Sequence, residues 1–199
     1  LAQHVRLQEQ RAVKVLLPQA VMRQESVTRF EREAIATSRL AHPNILQIHE
    51  LGRLASGQPF IMAEYLEGQA LDKLLRDGPL TIHRTLAVVL QLCAALEHAH
   101  RHGVIHRDIK PGNIFYCPTE KEPFRIKLFD FGVAKVADAN DGARTRAGVG
   151  CGTPLYMAVE QYQNANIADE RSDIYSIAVL AVEMATGHLP WGTHDFAQT

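Results

Sequence analysis

The pattern of apolar residues changes once along this 199-residue chain, at Gly68, and that change limits the folds open to it. Before Gly68, short β-rich runs dominate: Arg11 to Leu17 (RAVKVLL) ends at Pro18, and Ile45 to Leu51 and Pro59 to Tyr65 flank a turn region from Gly52 to Gln58. Runs of this length bounded by Gly and Pro predict strands. One amphipathic helix interrupts them, from Glu25 to Leu40, with Val27, Phe30, Ala34, Ile35 and Leu40 near helical spacing and His42-Pro43-Asn44 as its stop. After Gly68 the period is helical. Thr81 to His102 presents Leu86, Val89, Leu90, Cys93, Leu96 and Ala99 as a broad apolar face. Asp169 to Thr186 carries Ile174, Ile177, Val179, Leu180, Val182 and Met184 and is closed by Gly187 and Pro190. Strands segregated from helices predict an α+β architecture in two lobes, a small β-rich one over residues 1–66 and a helical one over 67–199.

Composition narrows the function classes. Lys and Arg number 21 against 22 Asp and Glu, so no global charge draws the chain to nucleic acid or an anionic membrane, and any basic site is local. Cys93, Cys117 and Cys151 are widely spaced and form no Cys-x-x-Cys pair, which argues against a disulfide framework or a zinc site and for a reducing compartment. No apolar run approaches the roughly 20 residues that cross a bilayer, and no signal-peptide pattern opens the sequence.

Between the two long helices lies VIHRDIKPGNIF, residues 104–115, too rich in charge and too interrupted by Pro-Gly for regular helix. Its His106-Arg107-Asp108, Lys110 and Asn113 match the pattern H-R-D-x-K-x-x-N, and Asp130-Phe131-Gly132 follows 22 positions after Asp108. Asp and Asn in such a segment also cap turns, but capping explains neither the order nor the adjacency of the two motifs. On these residues the chain resembles the eukaryotic-type serine/threonine protein kinases, in a form closer to the bacterial eukaryotic-like members than to tyrosine kinases. The resemblance implies the two-lobed kinase fold, with ATP and Mg²⁺ bound between the lobes.

The same resemblance assigns roles. Asp108 orients the substrate hydroxyl and accepts its proton, Lys110 neutralises the γ-phosphate, and Asn113 and Asp130 hold magnesium through oxygen. His106, Arg107, Phe131, Gly132 and Asp173 support that machinery, with Asp173 in RSDIYS bracing the catalytic loop. Lys14, in Ala12-Val13-Lys14, resembles the strand lysine of these enzymes and is expected to pair with Glu33 on the following helix. Glu31 is the rival acid, but it lies two residues away on roughly the opposite helix face. Glu64-Tyr65-Leu66-Glu67-Gly68 resembles the hinge, where backbone groups of Glu64 and Leu66 bind adenine. Ala12 and Phe115 line the same nucleotide site, and Ala63 stands at a gatekeeper position usually held by a larger residue. The ribose-contacting acid falls on Ala70, which leaves that contact missing or made by Asp72.

Gly152-Thr153-Pro154 through Glu160-Gln161 looks like the end of an activation segment, with Thr153 near Asp108 and Lys110 and pointing to serine/threonine substrates. The family's Ala-Pro-Glu reads Ala158-Val159-Glu160, which keeps the acid and loosens a backbone constraint. Thr145 is the only hydroxyl side chain between Phe131 and Gly152 and is expected to be the activating phosphorylation site, facing Arg107, Lys135 and Arg29. Two further clusters are set aside. Gly148 to Gly152 has no strand before it to make a phosphate loop, and His98, His100, His102 and His106 scatter around a helix rather than converge on a metal.

None of the thirteen given residues before Lys14 is glycine, so the given residues hold no glycine-rich loop ahead of it, and they stop soon after Gly187-His188-Leu189-Pro190-Trp191. The expectation is therefore part of a catalytic domain whose isolated activity is weak or nil. Expected partners are proteins with serine or threonine, with autophosphorylation in trans, and no nucleic acid. The expected location is cytoplasmic, with any membrane anchor outside the given residues. The competing expectation is an inactive kinase-like scaffold that acts by binding partners.

Overall fold

The computed structural model describes residues 1–3, 8–119, 123–131, 155–164 and 167–192. The first part is an antiparallel sheet in the order β1-β2-β4-β3, formed by β1 (Ala2–Gln3), β2 (Gln10–Val15), β3 (Ile48–Arg53) and β4 (Pro59–Glu64). The register sets Ala12 opposite Ala63 and Lys14 opposite Ile61. A short helix, α1 (Pro18–Val21), leads into α2 (Gln24–Ser38), whose buried Phe30 and Ala34 pack on Ile61 of β4. That contact fixes the helix against the sheet and aims Glu33, one position before Ala34, toward Lys14.

The second part is held by α4 (Ile82–Arg101) and α6 (Glu170–Thr186), with α3 (Leu71–Leu74) and α5 (Val159–Gln163) at the periphery. Thr81 caps α4 by accepting the Arg84 N–H, Asp169 caps α6 by accepting that of Arg171, and Gly187 closes α6 in the left-handed region at φ 78°. Leu92, Leu96, Ile177, Leu180 and Met184 share one core with Ile126 and Leu128. This part also contains a sheet, β5 (Gln69–Ala70), β6 (Ile114–Cys117) and β7 (Arg125–Leu128), in that order. The helical pattern after Gly68 did not announce it, because strands of two to four residues carry no measurable period. Gly68 itself runs at φ 133°, and a Cβ there would sit 2.1 Å from the Tyr116 carbonyl oxygen, so the crossing between the lobes requires glycine.

The face of α4 differs from expectation. Its buried residues are Thr85, Val88, Leu92, Ala95, Leu96 and Ala99, whereas Leu86 and Leu90 are 53% and 70% exposed and Cys93 is also exposed. An apolar stripe and a neighbouring stripe one residue round the helix are both dense enough to pass for the core, and the contact with α6 selects the second. On α6, Ile177, Val179, Leu180 and Met184 are buried as expected, while Ile174 and Val182 are exposed.

Strand β7 joins the two parts. Its Leu128 bridges Ile45 in parallel, donates its N–H to Asn44 and accepts that of Leu46. The Asn44 amide in turn donates to Gln91 on α4 and to the Ile126 carbonyl.

Candidate active site

The loop after α4 is held from beneath by one carboxylate. Asp173, in the first turn of α6 and 1% exposed, accepts the backbone N–H of His106 at 2.9 Å and of Arg107 at 2.8 Å. His100 on α4 adds a third contact, Nε2 to Asp173 Oδ2 at 2.8 Å. Three donors satisfy a buried charge that would otherwise be costly. Arg107 is thereby fixed at φ 63°, a region that non-glycine residues rarely adopt, while its carbonyl accepts from the Gln161 amide at 2.6 Å. The fully buried His106 accepts the Asp108 N–H at Nδ1, which leaves its proton on Nε2, aimed at the Phe129 carbonyl at 3.2 Å.

Asp108 stands at the end of this scaffold. Its Oδ2 accepts from Lys110 Nζ at 3.0 Å and from Asn113 Nδ2 at 3.0 Å, and Asn113 also donates to the Asp108 carbonyl at 2.8 Å. The Asn113 nitrogen is thus committed to Asp108, and its amide oxygen is the atom left to meet a cation. One loop brings together the carboxylate, amine and amide expected of it.

Asp130 follows β7, next to the fully buried Phe131, and also adopts a left-handed conformation at φ 56°. Its Oδ1 accepts from Lys14 Nζ of β2 at 2.6 Å, which closes the cleft between the sheet and the helical lobe. This corrects one expectation: the ion pair of Lys14 is with Asp130, not with Glu33. The physical reason is burial. Glu33 lines the same cavity, and desolvation, reinforced by the negative charge of Asp130, raises its pKa to about 7 against the pull of Lys14. A carboxyl that burial makes costly to ionise competes less well for the lysine than the half-exposed, hydrogen-bonded carboxylate of Asp130. Glu31, the rival acid, pairs instead with Arg53 at 2.7 Å on the outer side of the helix.

Behind Lys14 the structure holds a cavity of about 160 Å³ whose wall includes Ala12, Glu33, Thr37, Ile61, Ala63 and Phe131. The two alanines face each other across β2 and β4, and their small side chains leave this space open. Glu64 ends β4, and its carboxylate accepts from Lys127 Nζ at 2.6 Å and from the Gln47 N–H at 2.8 Å. Leu66 and Phe115 are half-buried, Phe115 opposite Ala70 on β5. Asp72 of α3 reaches Arg76 in the 3-10 turn that follows the helix.

Around α5, Glu160 accepts from Ser172 Oγ at 2.8 Å, and Val159, where proline was expected, is 62% exposed. Tyr156 donates its hydroxyl to Glu183 at 2.6 Å and its carbonyl accepts from Ser176, which ties this segment to α6. Burial and that hydroxyl's neighbour push the Tyr156 pKa up, and burial also raises that of Glu183. Gly132, Lys135, Thr145, the glycines from 148 to 152 and Thr153 lie outside the described residues. Sequence reasoning missed His100, Gln161, Ser172 and Lys127. His100 had been grouped with a histidine run, and the other three carry no local signal. His98 lies between His42 and His102 in tilted ring contacts, with centroids 5.3 and 4.4 Å away.

A sheet lobe supplying a lysine, and a helical lobe supplying an acid, a lysine and an asparagine from one loop, define a two-lobed α+β scaffold around a charged cleft. Comparison places that scaffold: the protein kinase domain model matches residues 1–199, and the chain belongs to the protein kinase family. It is 44% identical over 182 residues to the serine/threonine-protein kinase pkn3 of Myxococcus xanthus, covering 90% of this chain and 33% of that protein. To the serine/threonine-protein kinase PknB of Mycobacterium leprae it is 35% identical over 196 residues, covering 96% of this chain and 30% of that protein. The crystal structure of the Mycobacterium tuberculosis PknI kinase domain superposes with a TM-score of 0.69 at 30% identity, over 94% of this chain and 67% of that one. The chain thus spans about a third of the length of the curated relatives it matches.

Proposed function

We propose that the protein transfers the γ-phosphate of ATP to serine or threonine hydroxyls of proteins. The observation that carries this reading is that Lys110 and Asn113 each donate to the Asp108 carboxylate at 3.0 Å on a braced loop, beside the cleft that the Lys14–Asp130 pair closes. Asp108 is the base that orients the hydroxyl and takes its proton, and Lys110, already bound to it, lies where charge builds on the transferred group. Lys14 binds the α- and β-phosphates. The oxygens of Asn113 and Asp130 suit a hard cation, so they would hold Mg²⁺, which when bound neutralises charge on the phosphates. The backbone of Glu64 and Leu66 binds adenine, with Ala12 and Phe115 above and below.

The relatives' names support serine/threonine over tyrosine substrates. The base Asp108 and the charged phosphate and metal contacts Lys14, Lys110 and Asp130 are all present, which favours an active enzyme over a scaffold. No helix among the described residues is long and apolar enough to cross a membrane. Phosphorylation of Thr145, in trans by a second copy, would order the activation segment. Incubating the full-length protein with radiolabelled ATP and a generic basic substrate, followed by phosphoamino-acid analysis, tests the reading. Labelled phosphoserine or phosphothreonine is expected, and an unlabelled substrate overturns it. Peptide mass spectrometry of the same sample beside a Thr145→Ala variant tests the activating site, which fails if Thr145 carries no phosphate.

A further inference from the structure

Glu64 is held at three points. Its N–H donates to the Gln47 carbonyl at 3.0 Å, and one carboxylate oxygen accepts both the Gln47 N–H at 2.8 Å and Lys127 Nζ at 2.6 Å. The ion pair is well shielded, with the Lys127 and Glu64 side chains 12% and 26% exposed. Lys127 also donates to the Ile45 carbonyl at 3.3 Å. It sits on β7, three residues before Asp130, and its side chain leaves the strand opposite the buried Ile126 and Leu128. One lysine therefore joins the end of β4 to the strand that presents Asp130.

From this geometry we infer that Lys127 is a positioning residue for the nucleotide: through Glu64 it sets the adenine-binding edge of β4 relative to the Asp130 carboxylate. The inference rests on the nucleotide site proposed above. Its physical basis is preorganisation. A nucleotide that must touch the Glu64 backbone at one end and reach Asp130 at the other binds best when their separation is already fixed, because ordering then costs nothing at the moment of binding. Without Lys127 the carboxylate keeps only the Gln47 N–H, and the β4 edge loses its direct tie to β7, reaching it only through Gln47 and the neighbouring Leu46–Leu128 backbone bond.

Calorimetric titration of MgATP into the full-length protein tests this with Lys127→Met, Lys127→Arg, Glu64→Gln, the Glu64→Gln/Lys127→Met pair and a Lys14→Met control. Glu64→Gln keeps an oxygen for Gln47 but removes the charge. Lys127→Met and Glu64→Gln should each weaken MgATP about 3- to 10-fold, the double variant should be no worse than either, and Lys127→Arg should return affinity to within about twofold of wild type. A fall in Tm with unchanged affinity, or additive losses in the double variant, would overturn the inference. If Lys127→Met does not fold, Glu64→Gln decides alone, and wild-type affinity in that variant is again fatal. Failure of the wild type to bind MgATP removes the nucleotide site and this inference together. Wild-type binding that Lys14→Met abolishes, with Lys127 and Glu64 variants unaffected, removes this inference only.

Discussion

In the helical lobe the catalytic loop rests on groups withdrawn from water, whereas across the cleft Lys14 and Asp130 meet with side chains 54% and 44% exposed. Asp173 and His106 are 1% and 0% exposed, and Asp108 takes its position from the loop they anchor. The Lys14 pair has no such foundation, and the other acid in its reach, Glu33, has its pKa pushed up by burial to about 7. The difference teaches where rigidity and adjustability lie. Asp108 takes its place from a braced loop, while Lys14 has two acids, Asp130 and Glu33, on the wall of one cavity.

The comparison is broken most directly at Asp108. Asp108→Asn should lower turnover by roughly 10²- to 10⁴-fold with no loss of fold, because an amide keeps the hydrogen bonds but cannot take a proton. Steady-state kinetics and a thermal melt together check it, and turnover within a few-fold of wild type removes Asp108 from its role.

Asp173→Ala is the next largest disturbance. It strands the N–H groups of His106 and Arg107 and frees a strained backbone, at a cost of about 2–5 kcal/mol, measured by urea unfolding. Removing Lys14 should barely move the same midpoint, since an exposed pair is worth about 0–1 kcal/mol. Equal destabilisation by the two would erase the contrast between the lobes.

Glu33 sharpens it through pH. Its pKa is raised from the ordinary 4.5 to about 7 by burial, so the folded protein binds a proton that the unfolded chain has released. That contribution to stability is complete below pH 4.5 and is lost as pH rises through 7. Relative to Glu33→Gln, which cannot titrate, the wild type should lose Tm between pH 5 and pH 8. Parallel melting curves across that range would show that Glu33 is not buried as described.

The smallest effect is expected at Ala63. Ala63→Met fills space beside Ala12 and should weaken an adenine-site inhibitor with a bulky substituent by about 10-fold while leaving ATP within about twofold. Equal inhibition of both forms would put the cavity elsewhere than at the adenine edge.

Much of this was legible in the sequence, for identifiable reasons. Asp108, Lys110, Asn113 and Asp130 lie in two short motifs, and a spacing that positions reacting groups is local enough to survive as text. The α2 and α6 helices showed because one face of each is buried. The partner of Lys14 did not show, because Glu33 and Asp130 lie far apart in the sequence and meet on one cavity wall only in the fold. The true face of α4 was hidden by Leu86 and Leu90, apolar residues that the fold leaves outside. Gln161 and Lys127 act across 54 and 63 residues, on Arg107 and Glu64, and no local pattern records such pairs.

Arg107 and Asp130 share a backbone conformation that costs each of them on the order of 1–3 kcal/mol, and each adjoins or supplies a reacting group. In mechanical terms the cleft is a sprung latch, with Asp173 and Gln161 as the catch on one side. Such a device ties the backbone of Arg107 to the seating of α6, whose Asp173 supplies the hold, so a disturbance in that helix is felt at the loop beside Asp108.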